Sequence, residues 1–275
     1  MAPTFLNDLD VVDESTIELP GPTYPVAQWL NGDPKLAAAG GVAHTGGLIL
    51  PLKYLDDNLT PTAGWTKTTV AFSSGAAEEV LAAQKPRLAV VRTRFRWFVV
   101  YNGVTTFYPR PGYVSDAGMR GHLQALCAVH GFDFPVMGTF KGKASQEFER
   151  ILREFTQRLQ DGMQRAARDN VQSGYLPANR RFPRFAFYMK LAAGAHVRVG
   201  PKGQDSLITP PTLDLPRELN DDALNKLYVG RERLIELQNL YHEAAEWAAA
   251  WDKPGAEETF EEHDAEPETA TPEFA

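Results

Sequence analysis

The sequence predicts an α+β protein built on an antiparallel, OB-like β-barrel, with one helix inserted between strands and a second helix near the C-terminus. Three observations predict this class. Short runs of β-branched and aromatic residues are separated by Gly, Asn and Ser, one long segment has helical periodicity, and another such segment follows the last strand-like run. A five-stranded barrel with a helix between its third and fourth strands fits this order of elements.

The segment 85–110, KPRLAVVRTRFRWFVVYNGVTTFYPR, combines six basic residues with many aromatic rings and contains no acidic residue. Asn102-Gly103 at its centre predicts a β-hairpin whose two strands flank this turn. Because side chains alternate faces along a strand, Arg92, Arg94 and Arg96 share one face, and the intervening residues share the other. Cations interleaved with flat rings are what a groove for single-stranded nucleic acid requires. Arginines on an exposed strand above an aromatic core are also common, so this pattern alone leaves both interpretations open.

Other strands are predicted from shorter apolar runs, and some segments fit two assignments. Strands are expected at 42–52, 67–72, 134–140, 185–191 and 206–209, whereas 121–130 fits a strand or a short helix. The segments 29–39 and 76–84 are interpreted as short helices or turns, and 212–219 as an extended linker.

Two segments carry the periodicity of amphipathic helices. In 145–169, apolar residues recur every three or four positions, from Phe148 and Ile151 to Leu159. The second helix is predicted from about 221 to 251, with Asn220 or Asp221 as its N-cap and Gly230 as a residue that can break it.

Charge is distributed unevenly along the 275 residues, whose net charge is −7. Residues 1–20 hold five acids and residues 254–275 hold eight, and neither segment contains Lys or Arg, which leaves +6 on residues 21–253. We therefore divide the chain into an acidic N-terminal arm (1–25), one α+β domain (26–252) and a disordered acidic tail (253–275). A basic body between acidic ends indicates a polyanionic partner.

Several functional classes find little support in the sequence. The single cysteine, Cys127, rules out a disulfide framework or a cysteine-based zinc site within one chain. The N-terminus lacks the pattern of a signal peptide and no run approaches the ~20 apolar residues of a membrane helix, so we expect a cytoplasmic protein without membrane contact. Gly138–Lys143 lacks the spacing of a P-loop, and His242 and Glu246 do not complete a zinc-protease motif. We predict no cofactor and no metal.

The final segment, EETFEEHDAEPETATPEFA, resembles the acidic, aromatic-ended C-terminal tails of bacterial and phage single-stranded DNA-binding proteins. The resemblance implies that the tail recruits replication or repair proteins through Phe274 and competes with DNA for a basic groove. Ala275 follows the phenylalanine here, whereas the aromatic residue is usually last in that family. The physical basis is general, because a flexible acidic tail samples a basic body at high effective concentration.

We hypothesise non-catalytic binding of single-stranded DNA in replication, recombination or repair, with a phage or other mobile element as one setting and RNA as an alternative ligand. The predicted nucleic-acid-binding residues are basic or aromatic: Arg92, Arg94, Arg96, Trp97, Tyr101, Tyr108, Arg110, Tyr113, Lys141, Lys143, Arg180, Arg181, Phe182 and Arg184. Two alternatives stay open. One is an adaptor that docks an acidic protein, with Trp247 and Trp251 on its interaction helix. The other is a metal-dependent nuclease using Asp56-Asp57 or Asp221-Asp222.

Overall fold

A computed structural model describes residues 24–36, 41–55, 64–71, 77–101, 104–109, 119–169, 182–200 and 206–252. Ten of its strands form one sheet: β1 (Val26–Leu30), β2 (Gly47–Pro51), β3 (Thr66–Ala71), β4 (Ala77–Ala83), β5 (Arg87–Tyr101), β6 (Val104–Pro109), β7 (Arg120–Val129), β8 (Pro135–Lys141), β9 (Met189–Ala193) and β12 (Pro211–Leu213). A separate ribbon pairs β10 (Val197–Val199) with β11 (Ser206–Ile208).

The sheet is mixed and curls into a half-barrel, so the predicted α+β class is confirmed. Its strands follow the order β12-β9-β5-β7-β8-β1-β2-β4-β3, and β6 pairs with the far end of β5. The prediction of a purely antiparallel sheet is wrong at one pair, because β1 runs parallel to β8, with Val26 opposite Met137. The predicted hairpin is confirmed by the antiparallel β5–β6 pair, whose last partners are Tyr101 and Val104.

Several predicted elements differ from the observed ones. The segment around Trp29 forms β1, and 76–84 contains β4, where short helices or turns were expected. Within 29–39, the 3₁₀ turn at Pro34–Leu36 confirms that expectation in part. Alanine and glutamate in β4 favour a helix, but β2 and β3 pair with its two edges, and this pairing overrides local propensity. The run 121–130 is a strand, the predicted strand at 185–191 begins only at Met189, and the expected linker contains β12.

The helices are α1 (Gly41–Thr45), α2 (Lys143–Asp169), α3 (Asp221–Leu227), α4 (Arg231–Glu243) and α5 (Ala245–Ala249), followed by a 3₁₀ turn over Ala250–Asp252. The predicted cap is confirmed, because the Asn220 side chain accepts a hydrogen bond from the backbone N–H of Ala223. Gly230 separates α3 from α4 as predicted. None of the described helices is both long enough and apolar enough to cross a membrane.

The sheet is covered on both faces around β5 and β7. Helix α2 packs on one face, where Phe148 stacks on Phe140 with their ring centroids 3.8 Å apart. Helix α4 packs on the opposite face, where Leu237 lies against Ala89 and Val91. The pairing of β5 with β7 shifts register between Val90 and Arg92. Because of this bulge, the side chains of Val91 and Arg92 both project to the side of the sheet that α4 covers.

Replacing Phe140 by alanine should lower the free energy of unfolding by about 3–5 kcal/mol, because the ring is fully buried between Phe148 and Trp29. Denaturant titration followed by circular dichroism measures this change. Ile235→Ala is the control: its side chain is 54% exposed, and we expect a change within about 0.5 kcal/mol. Equal losses in the two variants would contradict the assigned core.

Candidate functional site

The register of three neighbouring strands places basic side chains in rows across the sheet. Arg96 on β5 lies opposite His122 on β7, and His122 lies opposite Lys141 on β8. The adjacent row contains Arg94, Gln124 and Thr139 in the same order. Because paired residues in a sheet project to the same face, we call this surface, defined by Arg92, Arg94, Arg96, His122 and Lys141, the arginine face.

Aromatic rings from the C-terminal helices lie directly on the guanidinium groups of the arginine face. Carbon Cζ of Arg92 is 3.8 Å from the ring centroid of Tyr241. The same atom of Arg94 is 4.5 Å from the Trp247 ring and 4.3 Å from the Trp251 ring. These distances lie within the ~6 Å range of cation–π attraction.

Arg96 is enclosed between two rings that come from different parts of the chain. Its Cζ lies 4.0 Å from the centroid of Trp251 and 3.4 Å from that of Phe107 on β6. Phe107 reaches this position because it pairs with Phe98, which alternates onto the same face as Arg96. The arginines of this face are therefore in contact with rings from the hairpin and from the C-terminal helices.

Hydrogen bonds add to the stacking and fix the side chains of two arginines. The Nε of Arg92 donates to the backbone carbonyl of Tyr241 at 2.5 Å. The Nε of Arg94 donates to Oε1 of Gln124 at 2.8 Å, and its Nη1 donates to the carbonyl of Trp247 at 3.3 Å. Gln124 thus orients Arg94 within the sheet, while the helices contribute backbone acceptors above it.

The C-terminal helices bury most of the arginine face. Arg94 is 5% exposed and Arg96 is 2% exposed, as is Trp251 above them. The interpretation of these arginines as an exposed strand face is therefore wrong for Arg94 and Arg96. Their assignment as nucleic-acid ligands stays a prediction, and it requires residues 231–252 to move away. An adaptor role for Trp251 as an exposed docking residue requires the same movement.

Burial and the neighbouring cations change the protonation behaviour of this face. Burial, together with the positive charges of Arg96, Lys141 and Arg94, holds the pKa of His122 well below its usual value. The ring is therefore neutral near pH 7. Burial also lowers the pKa of the Arg184 guanidinium, which lies at the edge of β5 with Nε 3.4 Å from the carbonyl of Val90.

Three buried polar atoms under the C-terminal helices have no hydrogen-bond partner within the part of the chain that the structure describes. They are His122 Nε2, Thr139 Oγ1 and Trp251 Nε1. The His122 and Trp251 ring centroids are 4.8 Å apart. A buried polar atom without a partner costs about 1–3 kcal/mol, so the covered arrangement carries an energetic penalty.

The other predicted ligands are scattered. Trp97 and its partner Tyr108 project from the face opposite the arginines, where Trp97 packs edge-on against Phe95 at 5.0 Å. Lys143 begins α2 and forms an ion pair with Glu147 at 3.1 Å. Phe182 is half-buried and precedes the 3₁₀ turn that holds Arg184. The side chain of Tyr101 and the residues Arg110, Tyr113, Arg180, Arg181 and Phe274 lie outside the described residues.

Sequence reasoning missed several residues that form or cover this face, namely Phe107, His122, Gln124 and Tyr241, and it named Trp247 and Trp251 only for the adaptor alternative. A signal for two of them was present, since His122 and Gln124 are polar at alternate positions of an otherwise apolar strand, which predicts a polar face. The spacing of Trp247 and Trp251 places them on one side of a helical turn. No sequence pattern indicated that these rings would contact β5.

The motifs for other chemistry do not converge in the described structure. In the described ranges, His, Cys, Asp and Glu side chains do not form a group of three that could hold a metal ion. Asp221 and Asp222 lie in the first turn of α3, and Asp56-Asp57 lies outside the described residues. Cys127 is buried, and burial raises the pKa of its thiol to about 12.

Comparison of the chain with protein-family models, curated proteins and solved structures found no match.

The lowered pKa of His122 predicts that the protein loses stability in mild acid. Below pH ~6.5 the unfolded chain binds a proton at this position, whereas the folded protein does not until its lower pKa is reached. In that window this residue should reduce the free energy of unfolding by up to about 1.4 kcal/mol per pH unit. Denaturant titrations from pH 7.5 to 4.5 measure the slope.

We expect His122→Asn to make this pH dependence less steep. An equal slope in the wild-type and His122→Asn proteins would contradict the assigned neutral ring.

Proposed function

We propose that the protein binds single-stranded DNA without catalysis, at the arginine face of β5, β7 and β8. The observation that supports this most strongly is the stacking of three successive arginines of one strand on flat aromatic rings. In these contacts, an indole or phenol ring lies with its centroid 3.8–4.5 Å from the guanidinium carbon. A nucleobase is also a flat ring and can stack on a guanidinium group in the same way.

Charge and ring chemistry together favour a single strand as the ligand. Base planes are accessible only where a strand is not paired, and stacking on side chains contributes about 1–3 kcal/mol per base. The row of Arg96, His122 and Lys141 crosses three strands, so a phosphate backbone that runs across the sheet meets consecutive cationic or polar groups. RNA offers the same charge and base planes and is the alternative ligand.

The proposal extends the OB-like interpretation of the sheet. Proteins of that class bind single strands across a curled sheet face, with aromatic residues and cations supplied by neighbouring strands. We infer a role in replication, recombination or repair in the cytoplasm. The acidic C-terminal segment, including Phe274, would contact replication or repair proteins.

Fluorescence anisotropy with labelled single-stranded and duplex oligonucleotides tests the proposal. We expect the full chain to bind the single strand more tightly than the duplex, with affinity falling as salt increases. The logarithm of the binding constant should fall with the logarithm of salt concentration by about 0.7 per phosphate contacted. Absence of single-strand binding at low salt would overturn the proposed function.

The double variant Arg92→Gln/Lys141→Gln localises the interaction. These cations lie on different strands of the arginine face, and we expect a weaker affinity and a salt slope that is shallower by about 1.4. The charge-matched control is Lys35→Gln/Lys67→Gln, which removes two exposed lysines elsewhere, one of them on the edge strand β3. Identical losses in both double variants would indicate binding driven by net charge and not by this face.

A further inference from the structure

We propose that residues 231–252, which we call the C-terminal cap, compete with single-stranded nucleic acid for the arginine face, so that the protein opens to bind. This inference rests on the proposed function and adds its regulation. In the structure described here, the cap occupies the surface that a bound strand requires, because Arg94 and Arg96 are buried beneath it.

The cap has the chemical features of the ligand that it would replace. It places the rings of Tyr241, Trp247 and Trp251 over the guanidinium groups, where nucleobases would stack. It also has five acidic and two arginine residues, and the eight acids of residues 254–275 follow it directly. Rings on a negatively charged segment resemble bases on a phosphate backbone.

Outside the arginine face, Leu237 and the half-buried Leu234 and Leu240 attach the cap to one small apolar cluster that includes Val91 and Phe185. The buried residues of the cap are Leu237, Ala244 and Trp251, and the others are half-buried or exposed. Arg233 donates hydrogen bonds to the carbonyls of Asp133 and Phe132, which hold the beginning of α4. A segment with so few buried side chains opens at lower free energy than the core strands.

A hinge lies at the start of the cap. The residues before it are tied to the body, because Tyr188 N donates to Leu227 O at the end of α3 and Val229 N, just after this helix, donates to Ala186 O. Gly230 follows with φ of +92°, a conformation that glycine adopts without strain. Among the described residues, no atom other than those of its chain neighbours lies within 4 Å of where its Cβ would be, so these surroundings leave room for rotation.

Unfavourable burial of polar groups in the closed arrangement lowers the free energy that is needed to open it. His122 Nε2 and Trp251 Nε1 are buried without partners in the described residues, their rings lie 4.8 Å apart, and opening returns them to water. Opening also exposes the guanidinium groups of Arg94 and Arg96, which are buried in the closed arrangement. A ligand that supplies phosphates and bases to the same groups can therefore displace the cap.

Hydrogen–deuterium exchange on the unaltered full chain, with and without a single-stranded oligothymidylate, tests the competition. Binding should increase exchange of backbone amides in 231–252 and decrease it in β5, β7 and β8. Unchanged or slower exchange in 231–252, with the oligonucleotide bound, would overturn the cap inference while the proposed function stands. Failure of the oligonucleotide to bind at low salt would overturn both.

Loss of the cap rings provides a second test. Trp247→Leu/Trp251→Leu keeps apolar side chains at both positions but removes stacking on Arg94 and Arg96, so we expect about tenfold tighter binding of the oligonucleotide. Trp247→Leu alone retains the buried Trp251 and should tighten binding less, in a protein that still folds. Tyr228→Leu is the control, since this exposed ring contacts Phe187 and lies before the hinge. Weaker binding by both tryptophan variants would overturn the inference.

Discussion

Replacing Arg96 by methionine is expected to weaken binding of single-stranded oligonucleotides about 5- to 150-fold, an effect larger than its effect on the free energy of unfolding. Affinity falls because the variant lacks the guanidinium that would meet a phosphate or a base. Methionine is chosen because it fills the space between Phe107 and Trp251, which limits the loss of packing.

This combination separates a binding role from a structural one. If Arg96 served mainly to hold the cap in place, its replacement would lower the free energy of unfolding by about 1–3 kcal/mol and leave nucleic-acid affinity intact. Anisotropy and denaturant titration on the same preparation distinguish the two outcomes. Arg153→Met on the exposed side of α2 is the matched control, for which we expect little change in either quantity.

Ending the chain at Lys253 is expected to tighten single-strand binding about tenfold at low salt. The removed residues carry eight acids and no Lys or Arg, and they are tethered directly to the cap. An effective concentration of about 1 mM and a tail contact with a dissociation constant of about 0.1 mM would together produce this factor. The difference should shrink above about 0.1 M salt, where charges more than ~10 Å apart are screened.

The matched control for this truncation keeps the length of the chain and changes only its charge. Replacing the eight acids by Gln and Asn, with Phe274 retained, should tighten binding as much as the truncation does. If the truncation tightens binding and the charge-neutral variant does not, the bulk of the acidic segment and not its charge opposes binding. Equal affinity of the wild-type and both variants at low salt would contradict competition by the acidic segment.

Local sequence patterns predicted the elements that depend on short-range chemistry. Asn102-Gly103 between β-branched runs predicted the hairpin, and alternation correctly placed Arg92, Arg94 and Arg96 on one face. Residues 26–30 and 77–83 were assigned wrongly because their strand state depends on partners distant in sequence. A sequence pattern specifies which side chains share a face, but not what covers that face.

The covering of the arginine face could not be predicted for the same reason. Arg92 meets Tyr241 across 149 positions of sequence, and no periodicity links β5 to the C-terminal helices. The amphipathic pattern of 221–251 predicted only that one side of these helices would be buried. The bulge between Val90 and Arg92 adds to this, because it places Arg92 on the same side of the sheet as Val91, which α4 covers.

The measurement that tests the central claim most directly is photocrosslinking of a single-stranded oligonucleotide that carries iodouracil, followed by mass spectrometry of the crosslinked peptides. Iodouracil reacts with aromatic residues that lie against the base. If nucleic acid binds the arginine face, crosslinks will lie in β5–β6 and β7, at residues such as Phe107 and His122. Crosslinks confined to α2, or to any surface away from β5, β7 and β8, would contradict this account.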